Sequence, residues 1–322
     1  MIGTKFALFA AAASLLSVGI ERSNAQTVGF ADAIAQLAVS CGNDIEKYCK
    51  TANLGGGRVQ QCLDQNQASI SPSCKTTIVN MNVQLQKRAA ARASAMKICE
   101  RDILKFCGGI QQGDGNLLEC FSKAKRNMSA QCQQVVADAG YDASITSAPV
   151  QGQINLDSSD LIGSLQGIDA SSAEISAASL RQLAAQGIQD PSRTNRMNRE
   201  PLSAALGKQA QLTIAIQFDL NSARIRPESF RGVGLMADAL YHPYLQGYRF
   251  LIVGHTDATG SRERNLKLSQ ERADAIREAL IKPFGISPAR IEAVGLGEEQ
   301  LLNRSSPAAA ENRRVQLINI GK

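Results

Sequence analysis

The chain has 322 residues, 44% of them hydrophobic and 20% charged, which leaves room for about two domains at roughly 150 residues each. Aromatics make up only 4% and Trp is absent, which disfavours one large aromatic-rich core and points to small helical and α/β modules. The 35 Lys and Arg stand against 29 Asp and Glu without a basic run, so the net charge of +6 gives no electrostatic footprint for nucleic acid.

At the N-terminus, Lys5 supplies a positive n-region, Phe6 to Ile20 an uncharged stretch, and Ser23-Asn24-Ala25 a small-residue cleavage site. Residues 1–25 are therefore expected to be a secretory signal peptide, because that stretch falls short of the ~20 residues that span a bilayer. No Cys precedes Cys41, which argues against a lipid-modified N-terminal cysteine. Export places the rest of the chain in a compartment that oxidises thiols.

All eight cysteines lie between residues 41 and 132, and they repeat. Cys41, Cys49, Cys62 and Cys74 have the same spacing as Cys99, Cys107, Cys120 and Cys132, at an offset of 58 residues. The same offset relates Asp44 to Asp102, Ile45 to Ile103, Tyr48 to Phe106, Gly55 and Gly57 to Gly113 and Gly115, and Ser71 to Ser129, so residues 26–140 hold a duplicated module. Phe30, Ile34, Leu37, Cys41, Ile45 and Tyr48 recur at helical spacing. Eight residues of helix separate their ends by ~12 Å, so Cys41 and Cys49 cannot bond to each other, and pairing must cross between helices. Turns at Leu54-Gly55-Gly56-Gly57 and Ser71-Pro72 reverse the chain, bringing Cys49 beside Cys62 and Cys41 beside Cys74. The nested pattern recurs as Cys107 with Cys120 and Cys99 with Cys132. Zinc binding and thiol redox chemistry are the competing uses, but close Cys-x2-4-Cys pairs are missing and neither His lies in this region.

The stretches CGNDIEKYC and CERDILKFC resemble the cysteine-rich repeat of the Golgi apparatus protein 1 family over about 41–135. That resemblance implies an extracytoplasmic, disulfide-stapled helical module that binds an envelope protein the sequence does not identify. Ser73 to Cys107 contains neither Gly nor Pro, so one helix is expected to join the modules, with Lys87, Arg88 and Arg92 on solvated surface. Residues 142–209 contain no aromatic and many Ser, Gln, Ala and Asp, which reads as a linker over 141–209. Ser171 and Glu174 suggest a capping box ahead of a short helix bearing Leu180 and Leu183.

From residue 210 the pattern alternates between strand and helix: a strand over 212–218, a helix over 227–241, a strand over 248–253, a long helix ending near Pro283, and strands over 291–294 and 315–320. The fold class is thus multidomain, with N-terminal all-α disulfide-stapled repeats and a C-terminal α/β sandwich over 210–322. Four motifs in order, QFDLNSARI, GHTDATGSRERNLKLSQERA, GLGEEQ and ENRRV, resemble the C-terminal OmpA-like peptidoglycan-binding domain. The resemblance implies noncovalent binding of peptidoglycan through the diaminopimelate of its stem peptide, in a Gram-negative periplasm.

Diaminopimelate carries an ammonium and a carboxylate on one tetrahedral carbon, so it calls for an acidic acceptor beside a planar cationic donor. Asp257 and Arg272 match the family's two principal ligand residues; the carboxylate takes the ammonium, the guanidinium clamps the carboxylate, and the two could pair with each other when empty. Phe218, Asp219 and Asn221 in the first loop, Asn265 and Leu268 on the long helix, and Arg313 carry over as further binding positions. His255 is expected to be structural, and no metal or cofactor is called for. No membrane barrel is read ahead of the domain, which leaves outer-membrane association open. Two other classes remain: an exported thiol or metal-binding protein localised to the wall, and a wall-modifying enzyme, for which the sequence offers no acid/base, Cys-His or zinc constellation.

Overall fold

A computed structural model describes residues 27–110, 116–141, 158–166 and 175–321. The expected signal peptide, Gly113 and Gly115, and the Ser171 and Glu174 box lie outside those residues.

Helix α1 (Phe30–Tyr48) buries Phe30, Ile34, Leu37, Cys41 and Ile45, the face its periodicity predicts. A glycine turn with Gly56 and Gly57 both at φ 72° reverses the chain into α2 (Arg58–Gln65). Ser71 then caps α3 (Pro72–Ile98) by accepting the Cys74 N–H at 3.2 Å. Disulfides Cys41–Cys74 and Cys49–Cys62 staple these helices in the nested pattern. The second module repeats the plan with α4 (Glu100–Phe106), α5 (Asn116–Ala124), α6 (Ala130–Asp138) and disulfides Cys99–Cys132 and Cys107–Cys120.

The Asp and Ser shared by the modules do the same work twice. Asp44 accepts the Ser71 hydroxyl at 2.7 Å, and Asp102 accepts that of Ser129 at 2.6 Å, fixing each cap to the preceding helix. Between the modules the helix is continuous except for Cys99, whose backbone (φ −88°, ψ 3°) kinks the junction while its N–H still donates to Ala95 at 2.9 Å.

The C-terminal unit is a four-stranded sheet in the order β1-β4-β2-β3, with β1 (Gln211–Ile214), β2 (Phe250–His255), β3 (Ile291–Gly297) and β4 (Val315–Asn319). Only the β2–β3 pair is parallel. The strand expected over 212–218 stops at Ile214 because its partner β4 begins at Val315; Phe218 makes only an isolated bridge to Ile225. Helices α9 (Phe230–Leu240) and α10 (Arg262–Ile281) are the two expected helices. Gly254 and Gly295 let α10 lie close on the sheet, since a Cβ at either would collide with the backbone at Ser269 or Gln270.

Side chains alternate across β2, so Phe250 and Ile252 join the core shared with α9 and α10, while Leu251 and Val253 face the other way. Helix α7 (Ser158–Gln166) sends Leu165 into the first core, and the second face is covered by α8 (Ala177–Gln189), through Leu180 and Ala184. The linker expected over 141–209 is therefore not a free tether over 175–209. Small apolar side chains suffice to seal a sheet face that β2, buried along its whole length, could not leave in water. The short helix is present, capped by Ser176 with Ser179.

Lys87, Arg88 and Arg92 also depart from expectation. Arg88 is buried and pairs with buried Asp238 of α9 at 3.2 Å. Asp238 in turn accepts the N–H groups of Phe30 and Ala31 at 3.0 and 2.9 Å, supplying from α9 the cap that Gly29 cannot give α1. Arg92 stacks 3.6 Å from the Tyr241 ring centre and donates to the Ala139 carbonyl at 2.9 Å. Burial, reinforced by the Arg88 charge, pushes its pKa down to about 10. Only Lys87 stays half exposed, 3.4 Å from Asp138. The basic cluster is the seam between α3, the first module and the C-terminal unit.

Candidate functional site

The sheet's parallel pair ends where the sequence places its principal ligand residues. β2 runs out at His255, and Asp257 follows in a loop tied to β3 by the Thr256 N–H on the Gly297 carbonyl at 2.9 Å. Asp257 is buried, and one carboxylate oxygen accepts both the N–H (3.0 Å) and the hydroxyl of Thr259. The other accepts Arg313 at 2.6 Å. Burial opposes its ionisation, but the Thr259 and Arg313 hydrogen bonds outweigh it and hold the carboxyl below its ordinary pKa. The site thus contains a fixed anion.

Arg272 projects from α10 into a narrow cleft lined by Phe218, Gly254, His255 and Arg313. Its guanidinium lies 4.8 Å from the Phe218 ring centre, and its Nε donates to the Ser222 carbonyl at 3.0 Å. Among the described residues no carboxylate pairs with it. Burial first, then the Arg313 charge, lower its pKa, while Asp257 raises it. Asp257 and Arg272 therefore share one electrostatic environment, but the ion pair is Asp257–Arg313 rather than the Asp257–Arg272 pairing entertained for the empty site. Arg313 is half exposed, so a ligand cation can compete with it at little steric expense.

The lesser positions divide. Phe218 is the platform under Arg272. Asn221 is exposed with a left-handed backbone (φ 52°), at the tip of the loop that presents the Ser222 carbonyl. Asp219 pairs with Arg224 at 2.8 Å and holds that loop. Asn265 is buried with its amide donating to the carbonyls of Asp257 (3.2 Å) and Thr259 (3.0 Å) and to Glu298 (2.7 Å), so it shapes the Asp257 loop from behind. Leu268 is half-buried on α10. His255 lines the cleft and is kept neutral by desolvation and then by the Arg314 charge, which push its pKa well below the usual imidazole value.

Sequence reasoning missed the supports behind this loop. Buried Glu298 and Glu299, inside the GLGEEQ motif, take Arg196 (2.8 Å), Arg193 (3.3 Å), Arg199 (3.4 and 3.2 Å) and Arg262 (2.8 Å). Arg196 also donates to the Gly260 carbonyl at 3.1 Å, so residues 193–199 strap the loop that carries Asp257. The signal was present as three arginines at three-residue spacing and two adjacent glutamates, but nothing in either segment pointed to the other.

Residues 217–314 match the model of the OmpA family. The peptidoglycan-associated lipoprotein of Pseudomonas aeruginosa is 32% identical over 137 residues, which cover 41% of this chain and 79% of that protein. The chain belongs to the OmpA family. Its OmpA-like domain is also 33% identical over 115 residues to outer membrane porin F of Pseudomonas fluorescens, where the match spans about a third of the porin's length (34%) and 35% of this chain. Among solved structures, the peptidoglycan-associated lipoprotein from Burkholderia pseudomallei is 32% identical, covering 37% of this chain and 99% of that one, with a TM-score of 0.27. Ahead of the OmpA-like domain, residues 72–129 match the model of a cysteine rich repeat. Golgi apparatus protein 1 of Rattus norvegicus is 24% identical over 102 residues, 31% of this chain and 8% of that protein. No helix among the described residues is long and apolar enough to cross a membrane.

Proposed function

We propose that this chain is a periplasmic envelope protein that binds peptidoglycan noncovalently, with Asp257 and Arg272 receiving the diaminopimelate of the stem peptide. The observation that carries the reading is that Arg313, paired with the ionised and buried Asp257, lines the same cleft as Arg272, whose guanidinium among the described residues donates from Nε alone. The terminal nitrogens of Arg272 form a planar fork suited to a carboxylate, and Asp257 offers the oxygen now shared with Arg313 to the ammonium. Arg313 moves outward as the ammonium arrives. The curated relatives named as peptidoglycan-associated lipoproteins support the same reading. The cysteine-rich modules serve as the surface for an envelope protein, and their eight cysteines, all bridged, offer no thiol for the alternative use as metal or redox ligands.

Cosedimentation of the full chain with diaminopimelate-containing sacculi tests this. Asp257→Ala and Arg272→Ala should each weaken binding about 10- to 100-fold, since a hydrogen bond to a charged group contributes ~1.5–3 kcal/mol. Binding like wild type by both variants, with folding confirmed by circular dichroism, removes the site.

A further inference from the structure

The loop that faces Arg272 is held by a different part of the chain. Asn53, in the turn after Cys49, donates from its amide to the Ala223 carbonyl at 2.7 Å, and its side-chain oxygen accepts the Ile225 N–H at 3.2 Å. That oxygen also accepts the Leu54 N–H at 2.8 Å, which fixes the rotamer. Glu46, at the end of α1, takes Arg224 at 2.7 Å while Arg224's other nitrogen holds Asp219 at 2.8 Å. Arg224 is buried, so its two carboxylates decide where it sits. The residues gripped this way, 219 and 223–225, flank Asn221 and Ser222, and Ser222 offers the carbonyl that aims Arg272. Inside the loop, Asp219 N–H donates to the Arg224 carbonyl at 3.0 Å and Ser222 N–H to the Asp219 carbonyl at 3.1 Å, so the grip is transmitted by backbone hydrogen bonds.

We propose that Asn53 and Glu46 of the first cysteine-rich module are positioning residues for the peptidoglycan site: the module completes the mould of the 218–225 loop and sets the direction of the Arg272 fork. The inference rests on the wall-binding reading above. The duplication isolates what is special to the first module. At the offset of 58 residues, Glu46 corresponds to Leu104 and Asn53 to Gln111, so the second copy keeps the disulfides and the Asp–Ser cap but not the gripping pair. Leu104 is exposed. The bridge Cys49–Cys62 lies four residues before Asn53, and the Ala52 N–H on the Cys49 carbonyl (2.8 Å) ties the turn to it. The disulfide thus anchors the gripping turn.

The test measures affinity of the full chain for diaminopimelate-containing sacculi, well below the unfolding temperature, together with amide hydrogen exchange at 219–225. Asn53→Ala should weaken binding about 3- to 10-fold and speed exchange at Ile225, and Glu46→Ala should weaken it about 2- to 5-fold. Asn53→Asp, which keeps the accepting oxygen but not the donor, should fall between Asn53→Ala and wild type. Ser71→Ala perturbs the same module through its cap without touching the loop, and should leave affinity within about twofold of wild type. If Asp257→Ala has lost binding while Asn53→Ala and Glu46→Ala bind like wild type, the wall site stands and the positioning role is wrong. Equal weakening by Ser71→Ala and Asn53→Ala also overturns it, because the effect would then belong to module folding. Wild-type binding by Asp257→Ala overturns both the site and the inference.

Discussion

The two cysteine-rich modules share a covalent framework and lead different lives. In the first, Phe30, Ile34, Leu37 and the disulfides merge with α9, α10 and one face of the sheet into a single core. In the second, Phe121, Met128, Val135 and Val136 surround the disulfides in a core of their own. The disulfide plan therefore fixes the helix arrangement of each copy and says nothing about its neighbours. Docking of the first copy combines that apolar contact with polar positions, Glu46, Asn53 and Arg88, that the cysteine spacing does not mark. A duplicated stapled unit can diverge in this way because its interior is secured by covalent bonds, which frees its surface for new contacts.

Severing the seam should have the largest effect. Asp238→Ala leaves the Arg88 guanidinium buried without its anion and removes the acceptor of two α1 amides, so it should destabilise the shared core by about 3–5 kcal/mol. Thermal unfolding should then resolve a first module that melts apart from the sheet, while the second module's signal stays put. Replacing both partners by apolar side chains would not rescue it, because Phe30 and Ala31 would still lose their acceptor.

Next in size is removal of a staple. A bridge closing such a loop contributes ~2–4 kcal/mol, so Cys99→Ala with Cys132→Ala should unfold the second module alone. The equivalent change at Cys41 and Cys74 should instead lower the transition of the joint core. Proteolysis followed by mass spectrometry distinguishes a local loss from a shared one.

Acid gives a smaller effect confined to the C-terminal side. His242, buried at the end of α9, has its pKa pushed from 6.5 to about 4 by desolvation. Below pH 6.5 the unfolded chain takes up a proton that the folded chain refuses, so stability should fall as pH drops from 6.5 towards 4, by about 2 kcal/mol. Denaturant melts across that range should show the loss in the sheet domain, and His242→Asn, which keeps an acceptor for the Tyr244 N–H, should remove the His242 share and leave that of buried His255, whose pKa is depressed in the same direction.

Much of this architecture was legible from local rules. Three-residue and four-residue spacing located α1 and α10, alternation located the strands, and the reach of a helix excluded Cys41–Cys49 and led to the nested disulfides. Local rules failed where a partner lies far along the chain. Arg88 looked solvated because Asp238 is 150 residues away, and residues 175–209 looked like a tether because small side chains such as Ala184 cover the sheet without an aromatic signature. At the proposed site, the motifs pointed to Asp257 and Arg272, but nothing in them pointed to Arg313 as the partner of Asp257. Whether Arg313 or Arg272 takes the carboxylate depends on how the loop before β4 folds back, which no spacing encodes.

A site in which the Arg272 fork takes a carboxylate and Asp257 an ammonium, as proposed, must tell diaminopimelate from lysine. Calorimetric titration of the full chain with a stem peptide containing diaminopimelate, against the same peptide with lysine in its place, tests it most directly, because lysine keeps the ammonium and lacks the carboxylate. The lysine peptide should bind at least about tenfold more weakly, and Arg272→Lys, whose compact ammonium cannot form the fork, should lose that discrimination. Equal affinity of the wild-type chain for both peptides would contradict it.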